Sequence, residues 1–178
     1  MRKLALAVLA LTFVFGSIQA MAWEPDPNNK MELDVQAAIV SLKEKDPGMA
    51  DWFDNSAGYA VFPKVGKGGV GIGGAYGKGL VIAGDKVVGT TSLSQLSIGL
   101  QLGGQAYAEF IFFRDDTALN DFKRGNFELG AQASAVAATA GASADASYNK
   151  GVAIFTDVTG GLMYEASVGG QKFKFEAK

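Results

Sequence analysis

Between residues 29 and 178 the spacing of apolar side chains passes from a helical period to a period of two at Gly58, with one short helix inserted later. Met31, Val35, Ala38, Ile39 and Leu42 recur at helical intervals behind Asn29, which can cap the helix, and Pro47 ends the pattern. Asp46-Pro47 has the form of an N-cap and first helical residue for a short second helix through Trp52 and Phe53. From Gly58 onward strands dominate. Tyr59–Phe62 is a short apolar run closed by Pro63, residues 68–83 make one or two strands, and Gly84-Asp85 is a hairpin turn into Lys86–Gly89. In the stretch 93–103, Leu96, Ile98, Leu100 and Leu102 alternate with Gln95, Ser97 and Gln101, which predicts a strand with the aliphatic face buried. Tyr107–Phe113 is apolar at most positions and reads as an interior strand. Asp115-Asp116-Thr117 opens a short helix through Leu119 and Phe122, stopped by Gly125. Gly151–Asp157, Leu162–Val168 and Gln171–Phe175 complete the strands, with turns at Thr159-Gly160-Gly161 and Gly169-Gly170.

The pattern describes one domain over residues 23–178, with a helical lead-in at about 30–55 and a β body at about 58–176. Its class is α+β, mainly antiparallel β. Within the β body, KVGKGGVGIGGAYGKG (64–79) has glycine at eight of sixteen positions. It contains G-x-G-x-x-G at Gly69, Gly71 and Gly74, but Gly77 and Gly79 would break the helix that a dinucleotide loop must open, and no G-K-[ST] follows. Read as strand, the odd positions 69–79 are all Gly or Ala, whereas the even ones from 70 to 82 hold Val70, Ile72, Gly74, Tyr76, Lys78, Leu80 and Ile82. A face emptied of side chains predicts tight curvature or another backbone close by. Ala131, Ala133, Ala135 and Ala137 make a second such face, in a segment (130–147) where fifteen of eighteen residues are Gly, Ala, Ser or Thr. Propensity alone would also allow a helix there. The two small faces together predict a compact glycine-rich barrel or tight sandwich, with an N-terminal helix pair and one short inserted helix.

Composition narrows the chemistry. Arg2 and Lys3 precede an apolar run from Leu4 to Phe15, and Ala20-Met21-Ala22 has the A-x-A form of a cleavage site, so residues 1–22 read as a signal peptide cleaved after Ala22. The expected destination is the periplasm or the exterior. Without cysteine there can be no disulfide, thiol catalysis or lipid-modified N-terminal cysteine, so a lipoprotein is excluded. Without histidine the commonest general base and transition-metal ligand are missing, which excludes Ser-His-Asp, Cys-His and zinc sites in their usual forms. No cofactor, metal or nucleic acid is expected. Glu109, Glu128 and Glu165 are the acidic residues set among strands, and their spacing forms no motif, so they read as outward-facing carboxylates and the chain as non-enzymatic. Charge is uneven: residues 23–57 hold eight acidic and three basic residues, whereas 58–90 hold Lys64, Lys67, Lys78 and Lys86 against Asp85 alone.

The motifs AGYAVFPKVGKGGVGIGGAYGKG (57–79), SLSQLSIGLQLGGQAYAEFIFF (92–113), ALNDFKRGNFELGAQASAVAATAGASA (118–144) and GVAIFTDVTGGLMYEASVGGQKF (151–173) resemble the SYLF domain, a lipid-binding and actin-binding family. The chain is most similar to exported bacterial members that are a lone domain behind a signal peptide. The resemblance implies antiparallel strands with flanking helices and affinity for anionic lipids. The basic N-terminal segment associated with lipid binding in eukaryotic members is neutral here, with Lys30, Lys43 and Lys45 against Glu32, Asp34 and Glu44, and Ala57 stands where the family often has lysine. An exported bacterial protein would not normally meet phosphoinositides or actin. The expected partner is therefore an anionic phospholipid surface of the cell envelope, contacted through Lys64, Lys67 and Lys78, with Tyr76 a candidate interfacial aromatic. The alternative is a structural protein that binds another envelope protein through a sheet face or edge.

Overall fold

A computed structural model describes residues 23–70, 72–98, 104–160 and 166–178. The signal-peptide reading, Gly71, residues 99–103 and residues 161–165, including Glu165, lie outside the described residues.

Helix α1 (Lys30–Lys45) starts where Asn29 Oδ1 accepts hydrogen bonds from the Met31 and Glu32 amides. Glu32 in turn accepts from Asn29 Nδ2 and the Asp26 amide, fixing the cap side chain and the chain that leads into it. Helix α2 (Met49–Asn55) follows a turn in which Asp46 accepts from the Gly48 and Ser143 amides at 3.1 and 2.7 Å. Burial works against the Asp46 carboxylate, but these bonds outweigh it and hold its pKa below the ordinary value. Val35, Ile39 and Leu42 from α1 and Met49 and Phe53 from α2 are buried against one face of a sheet.

The sheet contains β1 (Gly58–Val70), β2 (Ile72–Ala83), β3 (Lys86–Ile98), β4 (Gly104–Phe113), β5 (Ser134–Ala137), β6 (Val152–Gly160), β7 (Ala166–Ser167) and β8 (Lys172–Ala177). Helix α3 (Asp116–Lys123) and the single-turn α4 (Ala142–Asp145) interrupt it. Among the described strands the order is β7-β5-β6-β4-β1-β2-β3-β8, antiparallel except for β5 beside β6. The α+β, mainly antiparallel class is as expected, but this open order excludes the closed barrel. The sheet is nevertheless strongly curled. Laid flat, eight strands would separate the edges by roughly 34 Å. Residues 168–171 are all that joins β7 to β8, and such a connection reaches at most about 18 Å.

Curling gives the sheet an outer face under α1 and α2 and an inner face with a core of its own. On β4, Phe110 and Phe112 belong to the outer core, while Tyr107, Ile111 and Phe113 belong to the inner one, which is why this strand is apolar at nearly every position. Helix α3, capped by Asp115 Oδ1 accepting from the Ala118 amide, sends Leu119 and Phe122 into the inner core. Gly125, at φ 77°, follows its end.

Pro63 does not end β1. The strand continues through it with register shifts against both neighbours, between Val61 and Lys64 on one side and Phe62 and Val65 on the other. A bulge is where a strand tolerates a residue that lacks an N–H. The two strands expected on either side of residue 90 are one, β3. Gly84 and Asp85 form the preceding turn with φ of 53° and 57°. The alanine-rich segment gives strand β5 and the single turn α4 rather than a long helix. Thr159 and Gly160, expected in a turn, belong to β6.

The odd-numbered small face of β2 points into the inner core, beside Ala75 and Val81. What approaches it is the adjacent bulged strand. A Cβ at Gly79 would stand 2.2 Å from the Val61 carbonyl oxygen and 3.0 Å from Phe62 Cδ1. Ala133 and Ala135 open onto the same core, while the Ala131 carbonyl closes on Gly169, where a Cβ would stand 2.3 Å away.

A buried carboxylate links α1 to the sheet. Asp157 on β6 is buried and accepts from Ser41 Oγ at 3.1 Å, and Lys45 pairs with its other carboxylate oxygen. Lys45→Ala is expected to lower the unfolding free energy by about 1–3 kcal/mol, since the buried carboxylate keeps only the Ser41 hydroxyl. Chemical denaturation of Lys45→Ala beside Lys45→Arg measures this, with the arginine variant close to the parent.

Candidate functional site

The helix pair covers only part of the outer face. Its core contacts end at Val61 on β1 and Leu80 on β2. Beyond them β1, β2 and β3 carry an uncovered surface. The register makes Lys64 and Lys78 direct cross-strand partners, both exposed. Two positions farther along β2, Tyr76 lies opposite Gly66 on one side and Ser94 on the other and is 55% exposed. Leu96 on β3, opposite Gly74, is 79% exposed. Small neighbours leave the tyrosine ring and the leucine standing free of the surface, beside two adjacent ammonium groups.

Leu96 corrects the expected burial of its stripe. The period of two is real at the described positions, but its sense is inverted: Gln95 is buried and Leu96 is out. Gln95 Nε2 donates to the Gly169 carbonyl at 2.9 Å, so the inner face needs a polar group at this point. Leu100 and Leu102 lie outside the described residues.

The third predicted lysine is elsewhere. Lys67 pairs across the strand with Ala75, an inner-core residue, so it stands half-buried on the opposite face from Lys64 and Lys78. There its charge acts on Glu109. Glu109 is fully buried and accepts from Gln171 Nε2 at 3.0 Å, which ties β4 to the 168–171 connection. Burial pushes its carboxyl up to about 8, against the opposing effects of Gln171 and Lys67, so at neutral pH it is mostly protonated. Burial also raises the Tyr107 phenol, and the Glu109 charge adds to this. Among the described residues Tyr107 Oη, Glu109 Oε1, Thr156 Oγ1 and Gln171 Oε1 have no hydrogen-bond partner. Glu109 is thus an internal neutral acid rather than an outward-facing carboxylate, whereas Glu128 is exposed and lies 3.7 Å from Lys172. The signal was present in the sequence: a strand apolar on both faces has no solvent side to which residue 109 could point.

Among the described residues no three metal-ligating side chains gather, and no helix is long and apolar enough to cross a membrane. Residues 94–178 match the family model described as Ysc84, Las17-binding protein actin regulator. The chain is also similar to Beta cell expansion factor A of Aeromonas veronii, with 28% identity over 138 residues. That alignment covers 76% of this chain and 52% of the relative, so the chain spans about half the length of the curated protein it matches. SYLF domains are lipid- and actin-binding modules. The matched SYLF segment contains Leu96, Glu109 and Gln171, while Lys64, Lys67, Tyr76 and Lys78 precede it.

Proposed function

We propose that this chain is a non-enzymatic, peripheral binder of anionic lipid head groups in the bacterial cell envelope, exported by way of residues 1–22. The observation that carries the reading is the uncovered sheet face, where the cross-strand pair Lys64 and Lys78 lies beside exposed Tyr76 and Leu96. Two like charges held side by side repel each other, and a phosphate between them removes that cost. An amphipathic tyrosine and a bare leucine beside the lysines suit the boundary between head groups and acyl chains. The match of residues 94–178 to the Ysc84, or SYLF, family model supports lipid as the partner class. Lys67, on the other face, takes no part in this surface, so head-group contact falls to Lys64 and Lys78. Actin and phosphoinositides do not enter the proposal, because an exported protein would not meet them.

Vesicle co-sedimentation tests it. The protein is expected to bind phosphatidylglycerol vesicles in preference to phosphatidylcholine at low salt, with binding weakening as salt rises. Lys64→Glu/Lys78→Glu should weaken binding by at least roughly tenfold, at about 1 kcal/mol per lysine removed and more for reversal. Tyr76→Ser/Leu96→Ser should weaken it with the salt dependence unchanged. Equal sedimentation with both lipids would sink the reading.

A further inference from the structure

A recess lies where α2 meets β1, beside the β2–β3 turn. Its volume is about 440 Å³. Phe53 and Ile82, both buried, supply apolar lining, and Asp54 and Asp85 supply carboxylates from opposite sides. Asp54 belongs to the last turn of α2, and the left-handed turn conformation of Gly84 and Asp85 fixes the other. Both carboxylates are exposed, and neither forms an ion pair among the described residues.

Two hydroxyls belong to the same recess. Tyr59 is only 7% exposed, with its ring packed edge-on against Phe53 at 4.9 Å. Its ring is buried but its Oη is not among the buried unpartnered atoms, so the hydroxyl is left to the recess and its solvent. Its nearest charged influences are Asp85 and Asp54, which add to burial in pushing the phenol up to about 12, so it keeps its proton. Ser56, also in the lining, has a buried Oγ with no partner among the described residues. Two negative charges, two hydroxyl acceptors and an aromatic-aliphatic wall together specify a ligand with a positive charge, several N–H donors and a short apolar stem. The fold already uses this chemistry nearby, where the Lys43 ammonium lies 4.8 Å from the Phe53 ring centroid. A bare metal ion suits the recess poorly, since fewer than three metal-ligating side chains gather at any point among the described residues.

We propose that this recess binds a primary ammonium group, with Asp54 and Asp85 balancing its charge and the Tyr59 and Ser56 hydroxyls accepting its N–H donors. The group can come from a free alkylamine or from the ethanolamine head of a phospholipid, and the chemistry recognised is the same.

The full chain is titrated with hexylammonium and with monomeric dihexanoyl-phosphatidylethanolamine, following the backbone amide resonances of Gly58, Ala83 and Gly84. Hexanol and dihexanoyl-phosphatidylcholine serve as controls, the first without charge and the second without N–H donors. Saturable shifts at these amides with the two amines alone are expected. The tighter of the two identifies the source. Asp54→Asn/Asp85→Asn should weaken binding at least tenfold and Tyr59→Phe several-fold, in line with charge-assisted hydrogen bonds. Circular dichroism melting shows that the variants remain folded, and both carboxylates are exposed, so their loss leaves the core intact. Equal shifts with hexanol or the choline lipid, unchanged affinity in the double variant, or no saturable shift with either amine overturns the proposal.

Discussion

Gly79→Ala is expected to cost about 3 kcal/mol and to lower the melting temperature by roughly 6–12 °C, although it adds a single methyl group. The added Cβ would stand 2.2 Å from the Val61 carbonyl oxygen and 2.9 Å from its carbon, and these are backbone atoms that cannot rotate away. Relief would require moving the Pro63 bulge, which sets the register of β1 against both β2 and β4. Gly66→Ala, in the same glycine-rich hairpin, is the matched control. Nothing lies within 4 Å of its Cβ position, so this change should be neutral or raise stability by a few tenths of a kcal/mol through the unfolded chain. Differential scanning calorimetry on the pair separates the explanations. Similar losses in both would mean that the glycines serve flexibility rather than close approach.

Glu109→Gln is expected to change how stability depends on pH. The Glu109 carboxyl titrates at about 8 in the folded protein against an ordinary value of 4.5. Between those values the unfolded chain has lost the proton and the folded chain has kept it. The native state therefore binds more protons, and stability falls as pH rises, by up to about 1.4 kcal/mol per pH unit. Below about pH 4.5 both states are protonated and the contribution is fully present, and above about 8 nothing further is lost from this group. The amide in Glu109→Gln can still accept from Gln171 and has no charge to desolvate. It should match the parent at pH 4.5 and exceed it by a few kcal/mol at pH 8, an order of magnitude set by the same linkage. Urea unfolding at several pH values reads this out, and parallel curves for the two proteins would show that Glu109 is not the titrating group.

Much of this architecture was legible before any coordinates. Asn29, Asp115 and Gly125 mark helix ends through local backbone chemistry, which a sequence carries directly. The apolar run Tyr107–Phe113 announced a strand buried on both faces. What could not be read was the sense of a face. Gln95 and Leu96 alternate as expected, but which of them is inside depends on Gly169, more than seventy residues away, whose carbonyl the glutamine meets. Pro63 misled for a related reason, since a proline ends a regular strand but is accommodated at a bulge fixed by two neighbours. The candidate surfaces divide in the same way. Lysines on β1 and β2 were visible, but only the register separates Lys67 from Lys64 and Lys78. The ammonium recess joins Asp54 and Tyr59 to Asp85 across a hairpin and shows no spacing motif.

The pairing of β3 with β8 also dictates an order of events. Leu93 and Phe173 are direct partners about eighty positions apart, and they meet only after everything between them has been made. Until then one side of β3 is an unpaired edge, next to the bare Leu96. A chain of this topology folds slowly and late, because its non-local closure comes last. During that interval the Gly89–Ser94 edge is the segment on which a holding chaperone, or another copy of the chain, would first take hold.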